Sequence, residues 1–341
     1  MRRGLFGVLT ILLLIATLVI GAVPVAARSH VRVLLDGLSS PKALAAGSGR
    51  TLFIGQGAYG PPGPILAYNI RGRARGTTDI VLDVASVADL AALPDGSGWA
   101  IGTDLVLYHA TADGTITPVL NIPEYQVGDP DPYKDPGADT ESNPFGLAVL
   151  PNGDALVADA AGNDVLRVPL VGEPVTVARF APEEITPGTV ADPVPTSIAV
   201  GRDGWLYVGQ LTGFPGTPGT SHIWRLNPDA VGAVCDVTVS DPNCAVWKSG
   251  FTGIVDLAID QASGKTYVYE IAEGGFVAFE EGFATGAFPP AILLLVQGNK
   301  RTELAAGQLS QPGGVVVMPD GVYVTDGMFT GGRLVRIRGN N

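Results

Sequence analysis

The chain has 341 residues, 46% hydrophobic and 16% charged, with 46 Gly and 27 Pro. That is too apolar for a disordered chain and too rich in turn formers for a helical one. Its formal charge of −12 repels phosphate backbones and anionic lipid headgroups, which argues against nucleic acid as a partner.

Residues 1–27, MRRGLFGVLTILLLIATLVIGAVPVAA, have a basic start, an apolar stretch and a small-residue end, which predicts a signal peptide cleaved after Ala27. The stretch from Leu5 to Val23 nearly reaches the length of a bilayer span, so an uncleaved N-terminal anchor is the alternative. Either way, residues 28–341 are expected outside the cytoplasm, periplasmic or secreted, as one domain with no further membrane span. Cleavage would remove Arg2 and Arg3 and no acid, deepening the negative charge. The two cysteines, Cys235 and Cys244, lie close together in CDVTVSDPNC, and an oxidising compartment would join them in a local disulfide.

After the leader comes HVRVLLDG, His30 to Gly37, a strand with no hairpin partner of its own. Six units of one grammar follow: a short run of small and β-branched residues, a Gly-containing turn, an alternating strand, a variable loop and a further strand. The first begins near Ser39 (SPKALAAGSGRTLFIGQ) and the second near Val87 (VADLAALPDGSGWAIGTDLVLYH). The third is NPFGLAVLPNGDALVADAAGNDVLRV from Asn143, and the fourth VPTSIAVGRDGWLYVGQLTGFPGTPGTSHIWRL from Val194. The fifth begins near Phe251 (FTGIVDLAIDQASGKTYVYEIA), and the sixth is QPGGVVVMPDGVYVTDGMFTGGRLVRI from Gln311. Asp-Gly and Asn-Gly steps at Pro94–Gly96, Pro151–Gly153, Arg202–Gly204 and Pro319–Gly321 favour the positive backbone angles of tight hairpins. The repeat length, roughly 45 to 60 residues, is that of four-stranded propeller blades. No amphipathic helix of useful length is read among them. The expected fold is all-β, a six-bladed β-propeller closed by the N-terminal strand, which completes the last blade and removes an unpaired edge. The chain is expected to be a monomer.

The phrases ESNPFGLAVLPNGDALVADAAGN, VPTSIAVGRDGWLYVGQLTGFPGTPG and GFTGIVDLAIDQASGKTYVYEI resemble the ScyD/ScyE family of exported bacterial proteins, with Gly209 to Phe214 the most specific part. That resemblance implies an exported propeller and carries no agreed reaction. A wider similarity is to the six-bladed propellers of the NHL-repeat and gluconolactonase-like groups. In gluconolactonase-like enzymes a divalent cation sits at the channel mouth, held by Glu, Asn and Asp. Their Asn commonly lies in a ProAsnGly step that opens an inner strand. The matching steps here read Pro144-Phe145-Gly146, Pro195-Thr196-Ser197 and Pro312-Gly313-Gly314, without the Asn.

Aligning the units by their Gly turns places Gln56, Asp104, Asp159, Gln210, Glu270 and Asp326 at one channel mouth. Carboxylates brought together repel and must protonate, spread or bind a cation, and calcium suits an all-oxygen ring. The other reading is that each bonds its own loop, as Asp159 could with the amides of Ala161 or Gly162. Asp89 and Asp256, in the matching phrases VADLA and IVDLA, form a second pair on inner strands facing the channel. Of the three histidines, His222 in GTSHIWRL is the best candidate for a general base. The loop Leu211 to Gly219 and the stretch Pro123 to Ser142 supply Phe214, Tyr125 and Tyr133 as apolar contacts at a binding mouth, and the acidic stretch DPDPYKDPGADTE is a further candidate for calcium. GxSxG, HExxH and phosphate-loop patterns are absent. These features lead to a ligand- or partner-binding propeller acting at the loop face. The alternatives are a calcium-dependent hydrolase or lactonase, and an assembly scaffold.

Overall fold

The computed structural model describes residues 25–26, 29–71, 75–76, 78–82 and 86–339, so the expected signal peptide lies outside the described residues except for Val25–Ala26. Six sheets make the blades, here numbered I to VI, antiparallel apart from the edge strands Val25–Ala26 and Ala233–Cys235. Their inner strands are Leu44–Ala46, Val87–Ala92, Pro144–Val149, Pro195–Val200, Ile254–Ile259 and Pro312–Met318. Each inner strand packs against the next, and that of blade VI returns to blade I, so the ring is closed.

Closure runs as the unpaired first strand predicts. Ser29–Ser39 pairs antiparallel with Gly331–Gly339 as the outermost strand of blade VI. Glycine holds the positive φ that the hairpin turns require, at Gly96 (91°), Gly153 (93°) and Gly204 (80°).

A four-stranded sheet presents two faces and can cover neither alone. Here the apolar core divides into clusters that each join neighbouring blades. Leu156, Val165 and Phe180 of blade III meet Val208 and Trp224 of blade IV, for example, and Tyr269 and Leu293 of blade V meet Val315 and Val335 of blade VI. The interface of blades I and II is the most thinly filled, being built largely from Ala43, Ala45, Ala100 and Val87. A cavity of about 240 Å³ lies there, between Phe53, Ile65, Leu90 and Trp99.

Two helices interrupt the β pattern. Helix α1, Ile122–Gly128, occupies the start of the stretch from Pro123 expected to be loop, its N-terminus capped by the Asn121 side chain on the Glu124 amide. Helix α2, Gly275–Thr285, follows the second strand of blade V and is bounded by left-handed Gly274 and Gly286. The disulfide joins Cys235 to Cys244. Although local in sequence it ties two blades, because Ala233–Cys235 adds to the outer edge of blade III while Cys244 starts the outermost strand of blade IV. None of the helices is long and apolar enough to cross a membrane, among the described residues.

Candidate functional site

Five of the six inner strands carry a register shift one residue after they begin, at Ala88, Phe145, Thr196, Val255 and Gly313–Gly314. A bulge frees its carbonyl from the ladder and re-aims it. In blade I the equivalent position precedes the strand and holds Lys42, whose Nζ donates to Ala88 O at 2.9 Å and Phe145 O at 2.5 Å. The same ammonium lies 3.8 Å from the centre of the Phe145 ring. One lysine thus fastens blades I, II and III at the axis.

Asp89 and Asp256 follow the bulges of blades II and V, three blades apart, and so face each other across the channel. Asp89 accepts from its neighbour Leu90 N at 2.9 Å and from Leu147 N of blade III at 2.8 Å. Asp256 does the same with Leu257 N at 2.8 Å and Val315 N of blade VI at 2.7 Å. Lys42, Asp89, Thr196, Asp256 and Gly313 surround a space of about 10 Å³, just enough for one water. Burial holds Lys42 below the usual lysine value, opposed by the two carboxylates. It likewise raises Asp89, against the pull of Lys42 and of the Leu90 and Leu147 amides. Burial first, and then the Asp89 charge, pushes Asp256 up to about 7.

Beyond this group the channel widens to about 310 Å³ between the second halves of the inner strands, with Asp89 and Asp256 at its inner end. It therefore opens on the face of the first hairpin turns, opposite the face expected from the sequence. At the loop face, Val255, Ile271, Phe279 and Met328 form a buried cluster with Phe145, Leu211, Phe288 and Phe329 against it. Helix α2 supplies Phe279, whose ring lies within 5.2–5.6 Å of Phe283, Phe288 and Phe329. This aromatic layer and Lys42 cover the channel end around which a ligand was expected.

The expected carboxylate ring is dispersed, because its members are spent chiefly on their own blades, Asp326 also meeting Tyr269 of blade V at 3.5 Å. Asp159 accepts from the amides of Asn143 (2.6 Å), Ala161 (3.2 Å) and Gly162 (3.0 Å) through one oxygen, and from Ser142 Oγ (2.7 Å) and Gln126 Nε2 (3.1 Å) through the other. Asp326 accepts from the amides of Ser310 and Gln311 and pairs with Arg333 at 2.7 Å. Glu270 accepts from Thr252 N at 2.6 Å, and its burial raises it to about 8. Gln56 takes the Ser39 amide at 2.9 Å. In each case the end of the second strand fixes the chain just ahead of the first, which is a blade-locking bond. Gln210 departs from the pattern, bonding Thr212 Oγ1 and Trp224 Nε1. Asp104 was misaligned: the register sets Gly102 opposite Val87, and Asp104 sits in the exposed turn beyond, bonded to Tyr108 Oη.

The divalent cation implied by the gluconolactonase resemblance does not fit this chain. At the matching steps stand Phe145, Thr196 and Gly313, which offer no carboxylate or amide side chain, and the carbonyls of Ala88 and Phe145 already receive the Lys42 ammonium. Among the described residues no three of His, Cys, Asp and Glu are grouped to hold a metal. In the acidic stretch Asp131 accepts from the Tyr133 amide and from Asn163 Nδ2, and Asp139 from the Gly137 amide.

His222 Nε2 lies 2.8 Å from Glu183 on the short hairpin Glu183–Ala191, and His222 lines neither channel cavity. Tyr125 lies on α1 with its hydroxyl on Thr176 Oγ1, Tyr133 is partly exposed, and Phe214 is 75% exposed. Lys42 went unread in the sequence, where it is a single lysine in the small-residue phrase SPKALAA. Its signal was its position, level with Phe145 and Thr196 once the units are aligned.

These features define a six-bladed β-propeller whose channel is plugged at one end by an ion group and open at the other. The fold is shared with a gluconolactonase from Xanthomonas campestris (TM-score 0.58, 13% identity, 91% of this chain and 90% of that one). Virginiamycin B lyase from Staphylococcus aureus (0.52, 14%, 91% and 99%) and a PQQ-bound aldose sugar dehydrogenase from Streptomyces coelicolor (0.52, 12%, 92% and 99%) share it as well. At such identities the likeness is one of fold. No family model and no curated protein matches the chain.

Proposed function

We propose that the chain is an exported binding propeller of the ScyD/ScyE type that holds a small ligand in its central channel, reached from the hairpin-turn face. The observation that carries this reading is the open channel of about 310 Å³ ending on two carboxylates and a lysine. A concave site with a few convergent polar groups is a common form of ligand site. The Cys235–Cys244 disulfide supports an oxidising compartment outside the cytoplasm. Likeness to gluconolactonases supports the calcium-dependent hydrolase alternative at the level of fold alone, and the carboxylates it needs are spent on backbone amides.

The test is a thermal-shift screen of small molecules on the protein and on Ala46→Phe. Ala46 is exposed at the channel wall, so its enlargement blocks the channel without entering the core. Hits that raise the midpoint of the parent and lose their effect in the blocked variant are expected. Hits indifferent to the block would place binding elsewhere and overturn the reading.

A further inference from the structure

The channel has a chemical character that narrows its occupant. Its walls carry small side chains, with Ala46, Ala91, Ala148, Val200, Ala258 and Val316 as examples, most of the surface it exposes is polar, and its inner end carries the two opposed carboxylates. Asp89 and Asp256 are neither sealed off nor free. Each touches channel space and gives one hydrogen-bonded oxygen to a neighbouring blade. Lys42 approaches from the far side and is the one basic group at this level among the described residues, so two carboxylates share one fixed cation. Outside, the first hairpin turns of blades II to VI each hold an aspartate: Asp95, Asp154, Asp203, Asp260 and Asp320. Arg225 neutralises Asp203, three arginines surround Asp320 and Lys265 lies near Asp260, which leaves Asp95 and Asp154 to favour approach of a cation.

We propose that the channel binds a slender organic monocation, a primary ammonium or guanidinium on a short chain, with the charged head between Asp89 and Asp256. This deepens the channel-binding reading above and rests on it. A single positive head completes the charge balance that Lys42 leaves one short, and a short chain occupies the small-walled channel behind it. A second consequence is proton release. Without ligand the missing charge is met by a proton on Asp256, whose carboxyl is raised to about 7 by burial and by Asp89. The arriving cation takes that proton's place, and the proton leaves to buffer. The groups facing Asp256 are Asp89, Lys42 and the Val315 and Leu257 amides, and only Asp89 and Lys42 carry charge.

The test is calorimetric titration of the full chain with n-butylammonium, n-butylguanidinium, n-butanol and butyrate. Both cations are expected to bind and the neutral and anionic probes to fail. Affinity should rise roughly fiftyfold or more from pH 5 to pH 8 and level off above pH 7, with proton release seen as a buffer-dependent heat. Asp256→Asn should lose about tenfold or more in affinity together with the pH dependence. Asp89→Asn provides a second variant should Asp256→Asn fail to fold. Butanol or butyrate binding as well as the cations, and abolished by Ala46→Phe, would overturn the cation assignment and leave the channel reading standing. Binding of no probe at tens of millimolar, or binding untouched by Ala46→Phe, would sink both.

Discussion

The Lys42 ammonium sits on the carbonyl oxygen of Phe145 and over its ring at once, 2.5 Å from the first and 3.8 Å from the centre of the second. It is also the counter-charge of Asp89 and Asp256. Lys42→Met keeps the length of the side chain and removes the charge. Leaving buried carboxylates without their partner costs about 3 kcal/mol or more where they are ionised, and less where they can take up protons. Urea unfolding should therefore show a larger loss at pH 8 than at pH 5.5. Equal losses at the two pH values would mean that the lysine acts through packing alone.

Buried acids set an unusual slope of stability with pH, with Asp89 and Asp164 raised by burial alongside two others. Asp256 is raised to about 7 and Glu270 to about 8. Folded pKa values above the unfolded ones mean that the native state binds more protons between about pH 4 and 8. The stability these groups contribute is fully present below their unfolded values and is lost as pH rises through 7 and 8. The melting midpoint should accordingly fall from pH 5 to pH 8.5. Glu270→Gln keeps an acceptor for the Thr252 amide and removes the titration, so its fall should be shallower, measured by thermal unfolding across that range. A midpoint rising over the same range would contradict the assignment.

Asp159 and Asp104 matched when the units were aligned by their turns, yet the structure makes them unlike. Asp159→Ala strands the amides of Asn143, Ala161 and Gly162, of which the last is buried. At about 1–3 kcal/mol for each buried group left unpaired, a loss of about 3 kcal/mol is expected. Asp104→Ala gives up an exposed bond to Tyr108 and should cost about 0.5 kcal/mol or less. Chemical denaturation of both variants decides between them, and similar losses would refute the blade-locking role.

This pair also shows what the sequence could and could not convey. Repeat length and Asp-Gly turns carried the blade count, because a hairpin turn is fixed by local backbone chemistry. Closure by Ser29–Ser39 was legible because an unpaired edge demands a partner. Gly102 follows Gly96 at the interval by which Asp159 follows Gly153, so the turn spacing itself marks Gly102, and Asp104 lies beyond it in the turn. Asp89 and Asp256 were marked as channel residues by their matching phrases, whereas Lys42 has no repeated counterpart. Helix α2 was missed since GFVAFEEGFATG carries three glycines, and its stability comes from tertiary contacts of Phe279 rather than from propensity.

The disulfide between Cys235 and Cys244 closes a short loop and joins the outer edges of blades III and IV. For a loop of that length the entropy of the unfolded chain accounts for about 2–3 kcal/mol. Reduction, or Cys235→Ser with Cys244→Ser, should lower stability by that amount while the ring stays closed. Denaturation with and without reductant measures it, and full unfolding on reduction alone would show that the bridge holds far more than its own loop.

Helix α2 covers the loop-face end of the channel through Phe279, which is buried against Phe283, Phe288 and Phe329. The helix is short, its glycine N-cap makes no side-chain bond, and its first turn lacks an acid. Its hold on the ring therefore depends on the aromatic layer. Phe279→Ala removes the central ring of that layer, and Phe to Ala in a core costs about 3–5 kcal/mol when the whole fold must bear it. If α2 can detach while the blades persist, the cost appears as local opening instead. Hydrogen exchange should then speed up across Gly275–Thr285 and leave the inner strand Ile254–Ile259 protected. Equal loss of protection in both segments would show that α2 is an integral part of blade V, and that the loop-face end of the channel stays shut for as long as the propeller is folded.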